Sequence, residues 1–200
     1  MPREYEKHGF IPVSTMKRCT GIQDTFTTGF ILPMWTDLAI RFEQNKWDFQ
    51  FSDGESTLSP HDAGQWKYYA DPAKFTHAKI ISPWAIDCKQ DIKWLYMKPT
   101  WHFDLATPIN IVTGTLSFKY QHGTHINMML PVHNMKMIIH AGQPMAHIIP
   151  LTDKTVELRH HYVTPEEYNH RHSDHLSHSF VKGYKKTLSI LKGKECPFQR

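Results

Sequence analysis

Cysteine is scarce in this chain of 200 residues: Cys19, Cys88 and Cys196 are odd in number, widely spaced and form no C-x-x-C pair. That argues against both a disulfide framework and a cysteine-built structural zinc site. Long apolar runs are also missing, and none approaches the roughly 18 residues that a membrane helix needs. The opening MPREYEKHGF is charged and has no apolar stretch of the signal-peptide kind. The expectation is a soluble protein that stays in the cytoplasm and makes no membrane contact. Strong charge of one sign is absent too. The net charge is +4, and lysines gather only near the end, at Lys182, Lys185, Lys186, Lys192 and Lys194. Those are too few for a nucleic-acid footprint, so nucleic acid is not expected as a partner. No internal repeat or low-complexity tract is present.

What the chain does have is core-forming material, 40% hydrophobic and 12% aromatic, enough to set it apart from disordered compositions. Phe10–Val13, Phe30–Leu32 and the alternating Leu38, Ile40, Phe42 read as short strands separated by Gly21, Gly29 and Pro33. Alternation continues through Trp47, Phe49 and Phe51 to the turn dipeptide Asp53-Gly54. Residues 54–77, rich in Gly, Ser, Pro and Asp, read as a long ordered loop. From Lys79 to Leu151, short apolar segments punctuated by Pro83, Pro99, Pro108 and Gly114 predict a series of strands. The pattern suits a sandwich, barrel or clip-like β fold. Thr164-Pro165-Glu166-Glu167 is a capping box with proline at the first helical position. Tyr168, His172, Leu176 and Phe180 then recur every four residues, predicting a helix over 165–180 that packs on the β domain or a neighbouring subunit. The expected organisation is a β-rich domain over 1–155 and a helical tail over 156–200.

Two segments carry a resemblance. Gly114–Tyr120, closed by Gly123, is similar to the hairpin of dUTPase-like proteins: glycine, two aliphatics, aspartate, two residues, tyrosine. Ile139–Ile149, with Gly142, Ala146 and His147, resembles their later segment, in which a turn leads into a buried strand. The likeness is closer to an uncharacterised family of phage-encoded and bacterial proteins built on the same plan. Arg18-Cys19-Thr20 with Gly29–Pro33, Pro99-Thr100-Trp101, Thr107–Asn110 and Gly142-Gln143-Pro144 match that family's short motifs. The resemblance implies a β-clip (dUTPase-like) core at about 79–152, or a related β-sandwich, with a C-terminal α-helix. It also implies a phage setting and self-association, with a trimer as in the relatives.

The departures from the pattern bear on chemistry. In the nucleotide-hydrolysing relatives the hairpin aspartate activates the attacking water, which is general-base work for a carboxylate. Here that position is Ser117, whose hydroxyl does not take up a proton near neutral pH. Gln143 stands at the arginine of the later segment and His147 at its glutamine. Tyr120 keeps its place and is a candidate to stack on a base, although tyrosine in a hairpin is usually packing. Ser117, Tyr120 and Gln143 are thus candidate nucleotide-type binding residues.

Fifteen histidines are the compositional oddity. His102-Phe103-Asp104, followed by His160, has the order of a two-histidine-one-carboxylate iron site. Arg171 stands where the 2-oxoglutarate oxygenases it resembles keep a basic residue. Against this, roughly one H-x-[DE] arises by chance at such a composition. His170, Asp174 and His178 would share one helix face and are candidate ligands for a divalent metal; a solvated polar face explains them as well. His122, His125, His133, His140 and His147 fall in the β region, each read singly as a structural histidine. Met128, Met129, Met135, Met137 and Met145 suit core or subunit-interface gaps. A soft-metal thioether site among them lacks nearby cysteines.

The leading expectation is a non-catalytic β-clip protein, phage-encoded, acting in binding or assembly in the host cytoplasm or in a virion. It is expected to need no cofactor and to associate with itself and with other phage proteins. Two alternatives stay open. One is a nucleotide-binding or dUTPase-like hydrolase that uses Asp104 or Asp153 instead. The other is an oxygenase holding Fe(II), or another divalent metal, on histidine and aspartate.

Overall fold

The structure is a computed structural model and describes residues 19–43, 46–99 and 109–168. It is mainly β, as the short apolar segments predict. Among the described residues, eleven strands make three antiparallel sheets, in the orders β1-β11-β6-β8, β10-β2-β3 and β4-β5-β9-β7. The expected strand at Phe10–Val13 lies outside the described residues.

One element departs from the expected strands: Thr20–Thr27 is a helix, α1. Gly21, expected to separate two strands, sits instead in the first helical turn, where its freedom costs little. The hydroxyls of Thr25 and Thr27 donate to the carbonyls of Gly21 and Gln23, each at 2.8 Å. The helix buries no residue, so no apolar stripe announces it.

β1 (Phe30–Pro33) follows at Gly29 and pairs with β11 (Pro144–Pro150). β2 (Leu38–Glu43) and β3 (Lys46–Phe51) form a hairpin, and β10 (Met135–Ile139) lies on the other side of β2. The alternation read from Leu38 to Phe42 appears directly as burial, with Leu38, Ile40 and Phe42 inside and Ala39 and Arg41 outside. This is the period of two that a half-buried strand imposes.

The expected loop over 54–77 needs correction. It contains β4 (Leu58–His61), a short 3-10 turn at Ala63–Gln65 and the start of β5 (Phe75–Ile80). β4 carries Pro60 and lacks apolar alternation, so nothing local marks it as a strand. It forms because β5 supplies a partner along its whole length, from Leu58↔Ile80 to His61↔His77. Proline is tolerated because β4 is an edge strand among the described residues.

β6 (Trp94–Met97), β7 (Asn110–Ile111), β8 (Gly114–Leu116) and β9 (Ile126–Pro131) complete the sheets. One apolar cluster joins all three sheets, among them Leu38, Ile80, Trp94, Phe118, Ile126, Met128 and Ile148. Trp94 packs within it, its ring centroid 6.0 Å from that of Phe30 and 5.4 Å from that of Phe118. A polar knot closes the 82–84 loop over this core. Thr124 Oγ1 donates to Trp84 O at 2.7 Å, Ser82 Oγ meets Thr124 Oγ1 at 2.9 Å, and the Tyr96 hydroxyl donates to Thr124 O at 2.9 Å. Ser82 and Thr124 are fully buried and fully bonded, which is how polar groups are accommodated in a core.

In the tail, residues 156–164 are without helix or strand, and one helical turn is described at 165–168. The capping reading holds locally: Thr164 Oγ1 accepts from Glu167 N at 3.2 Å, and Thr164 O from Tyr168 N at 2.9 Å. Leu176 and Phe180 lie outside the described residues. Tyr168 is half-buried, and its hydroxyl donates to Ser82 O at 3.0 Å, so the turn is fastened to the polar knot. Burial raises its pKa. Tyr168→Phe is expected to cost about 1 kcal/mol in urea denaturation, the net value of one such bond. An unchanged midpoint would show that the turn is held by something other than this hydrogen bond.

Candidate functional site: a lysine-rimmed depression beside the β8 turn

Phe118 organises the site. It is fully buried against Trp94, so the turn after β8 is anchored from below. Tyr120 N and Gln121 N both donate to Ser117 O, at 3.1 and 3.0 Å, which curls the chain into a single turn. Ser117 and Tyr120 are thereby aimed at the same neighbour, Asp91, three residues before β6. Ser117 Oγ donates to Asp91 Oδ1 at 3.1 Å and the Tyr120 hydroxyl to Oδ2 at 3.2 Å. The carboxylate that the hairpin lacks at position 117 thus arrives from another segment.

Nothing in the sequence marks Asp91. It lies in Lys89–Lys93, inside the predicted run of short strands, where nothing singles out a carboxylate. Only the β6–β8 register, with Trp94 opposite Leu116, brings it under the turn.

Asp91 lines an open depression of about 710 Å³, together with Lys89, Lys93, Lys119, Lys154 and Thr152. Four lysines face one aspartate there. Lys154 Nζ donates to Gln90 Oε1 at 3.4 Å, and Lys119 Nζ stands 5.4 Å from the Tyr120 ring centroid. Leu151 N donates to Lys93 O at 2.8 Å and fixes the far wall by extending the β11–β6 pairing. Four lysines against one aspartate give the depression a positive balance, which favours an anion.

Other expected site residues fall elsewhere. Ser117 follows the β8 residue opposite Trp94, at one end of β6. Gln143 precedes the β11 segment that pairs toward Met97, at the other end. One chain therefore brings Ser117 and Tyr120 together and leaves Gln143 apart. Gln143 is engaged in its own turn, its Oε1 accepting from His140 N at 3.0 Å. Tyr120 is 5% exposed, which leaves it packed in the hairpin and not open to stack on a base. Asp153 is exposed, on the bend between Thr152 and Lys154.

His160 is exposed in the extended segment before the helical turn. His102, Asp104, Arg171, His170, Asp174 and His178 lie outside the described residues. Among the described residues, no three of His, Cys, Asp and Glu stand together as a metal would require. His147 is buried, and its Nε2 donates to Thr28 O at 2.9 Å, tying β11 to the end of α1. His122 Nδ1 donates to Ile86 O at 3.0 Å. Met128 and Met145 are core residues, and Met135 and Met137 pack partly buried against the core. One pair of histidines does meet, and nothing in the sequence pattern points to it. His61 and His77 are cross-strand partners with ring centroids 4.5 Å apart. With β4 read as loop, no register exists in which to see them.

No protein-family model matches the chain, and neither curated proteins nor solved structures yield a match. Among the described residues, no helix is long and apolar enough to cross a membrane.

Proposed function

We propose that this protein is a non-catalytic binding module of the β-clip type that takes a phosphate-bearing ligand in the lysine-rimmed depression. The observation that carries the reading is the joint placement of Asp91, Ser117 and Tyr120 beside four lysines. Each oxygen of Asp91 already accepts a hydroxyl hydrogen bond. A carboxylate so tethered serves as a strut for the turn, whereas a general base must hold an oxygen toward the water it deprotonates. The lysines supply attraction and steering for an anion. The β-clip assignment and the phage setting rest on the resemblance of Gly114–Tyr120 and Gly142-Gln143-Pro144. Action in assembly, in the host cytoplasm or a virion, rests on the same likeness. Self-association has a surface to use: among the described residues β10 is a sheet edge, and it carries exposed Ile138 beside half-buried Met135 and Met137.

Hydrolysis is the second reading, favoured by one fact, that Asp91 restores a carboxylate to the hairpin. Calorimetric titration with inorganic triphosphate and with dUTP, and an assay for pyrophosphate release with magnesium, separate the two. Binding without pyrophosphate release is expected. Lys93→Glu with Lys119→Glu should weaken binding roughly thirty-fold, at about 1 kcal/mol for each exposed lysine–phosphate attraction that the substitutions remove. Raised salt should weaken it further. Pyrophosphate release that disappears in Asp91→Asn would establish the hydrolase instead. Absence of binding to either ligand would end the phosphate reading.

A further inference from the structure

The β4-β5-β9-β7 sheet uses its two faces differently. Ala78, Ile80, Ile126, Met128 and Leu130 point into the core and are almost wholly buried. The opposite face carries a straight row across three strands: His61 is directly opposite His77, and His77 directly opposite Met129. The two imidazole rings are 4.5 Å apart at their centroids and inclined at 47°. His77 is 9% exposed, and its Nδ1 is buried without a hydrogen-bond partner among the described residues. A buried ring nitrogen with nothing to bond is rare in a folded protein and asks for an explanation.

We propose that His61, His77 and Met129 form a binding site for copper(I), with two imidazole nitrogens and one thioether sulfur as the ligands. Thioether sulfur is a soft donor that selects copper(I), and imidazole serves copper equally well. The row contains no carboxylate or thiolate, the donors that calcium, magnesium and structural zinc sites draw on. Directly opposed strand residues have Cβ atoms about 4.5–5.5 Å apart, so His61 and Met129 flank His77 from the two adjoining strands and can lean toward an ion held above it. Methionine's three rotatable bonds let its sulfur swing to meet it. Ligating histidine must be neutral. Among the described residues, His77 Nδ1 has no hydrogen-bond partner, which leaves it as the nitrogen to meet an ion. Lys79 shares this face, and a singly charged ion is repelled by it less than a divalent one. Binding involves no redox step.

The test uses the full chain with Cys19, Cys88 and Cys196 replaced by serine, since free thiols would themselves take copper(I). Titration of anaerobic copper(I) against a chromophoric copper(I) chelator should give one tightly bound equivalent. X-ray absorption should show one sulfur and two nitrogen scatterers. His77→Ala is expected to weaken binding by more than about a hundredfold, beyond the loss typical of supporting residues. Met129→Leu, close in shape, should keep the apo protein's circular dichroism and melting curve and lose the sulfur scatterer. Copper binding that survives both substitutions, or a metal shell without sulfur in the cysteine-free chain, would overturn the site. So would the absence of stoichiometric binding.

Discussion

Gly29→Ala is expected to destabilise the protein by about 4 kcal/mol, a large share of the roughly 5–15 kcal/mol by which folded domains are stable. Gly29 joins α1 to β1 with φ at +81°. A left-handed backbone costs a residue with a Cβ about 1–2 kcal/mol. The second contribution is larger. A Cβ at this position would fall inside the van der Waals envelope of the Ile148 carbonyl oxygen, with Ile148 C and Ile149 Cα each 3.0 Å away. Those are backbone atoms of β11, paired at this point with β1 through Phe30↔Ile148, and cannot swing aside as a side-chain end would. Overpacking of this kind costs about 1–3 kcal/mol more. The neighbouring bond from His147 to Thr28 would be strained by the same displacement. Gly54→Ala is the matched control. Its φ is +68°, but nothing lies within 4 Å of the added Cβ. It should therefore show the left-handed cost alone. Urea denaturation of both variants measures the difference; equal losses would mean that β11 does not approach Gly29 as closely as described.

The elements legible from the sequence are those whose burial is written in local alternation. Leu38, Ile40 and Phe42 in β2, and Ile126, Met128 and Leu130 in β9, put every second residue into the core, and that pattern is visible without any partner. Asp53-Gly54 marks its turn because the backbone there requires a positive φ. The N-cap at Thr164 is legible because a hydroxyl three residues before a backbone N–H is a local arrangement. α1 and β4 are not legible. α1 buries nothing, and β4 owes its existence to β5, which lies beyond an intervening 3-10 turn.

The candidate site divides along the same line. Ser117 and Tyr120 stand out because their spacing matches a hairpin. Asp91 is hidden, since its role depends on which strand lies beside β8. His61 and His77 are hidden for the same reason. A carboxylate in a lysine-rich loop and a histidine before an aspartate are both ordinary surface residues until a register gives them neighbours. Gln143 is the converse case. Its segment matches a pattern in sequence, which suggests a place in the site, yet the register puts it at the far end of β6. Long-range pairing, more than residue type, decides which of the chemistry-bearing side chains meet.

Acid is expected to weaken the fold by about 1–2 kcal/mol through His77, less than the full value of its pKa shift because solvent screens a ring that is only partly enclosed. In the folded chain the ring is buried and its pKa falls from 6.5 to about 4. Burial is the chief cause, followed by the like charges of His61 and Lys79 on the same face of the sheet. The unfolded chain takes up a proton on this histidine at about 6.5, while the folded chain resists until about 4. Between these values the unfolded state binds more protons, so stability rises with pH. The contribution is fully present above 6.5 and is lost progressively as the pH falls toward 4. His61, also shifted down by burial and by Lys79, adds to the loss in the same direction. Urea midpoints at several pH values across this window, for the wild type and His77→Leu, isolate the effect. The variant has no ring to protonate, so its stability should fall less steeply on acidification. It should also be freed of the unbonded Nδ1, whose burial costs about 1–3 kcal/mol. Parallel acid limbs for the two proteins would mean that His77 is solvated in solution.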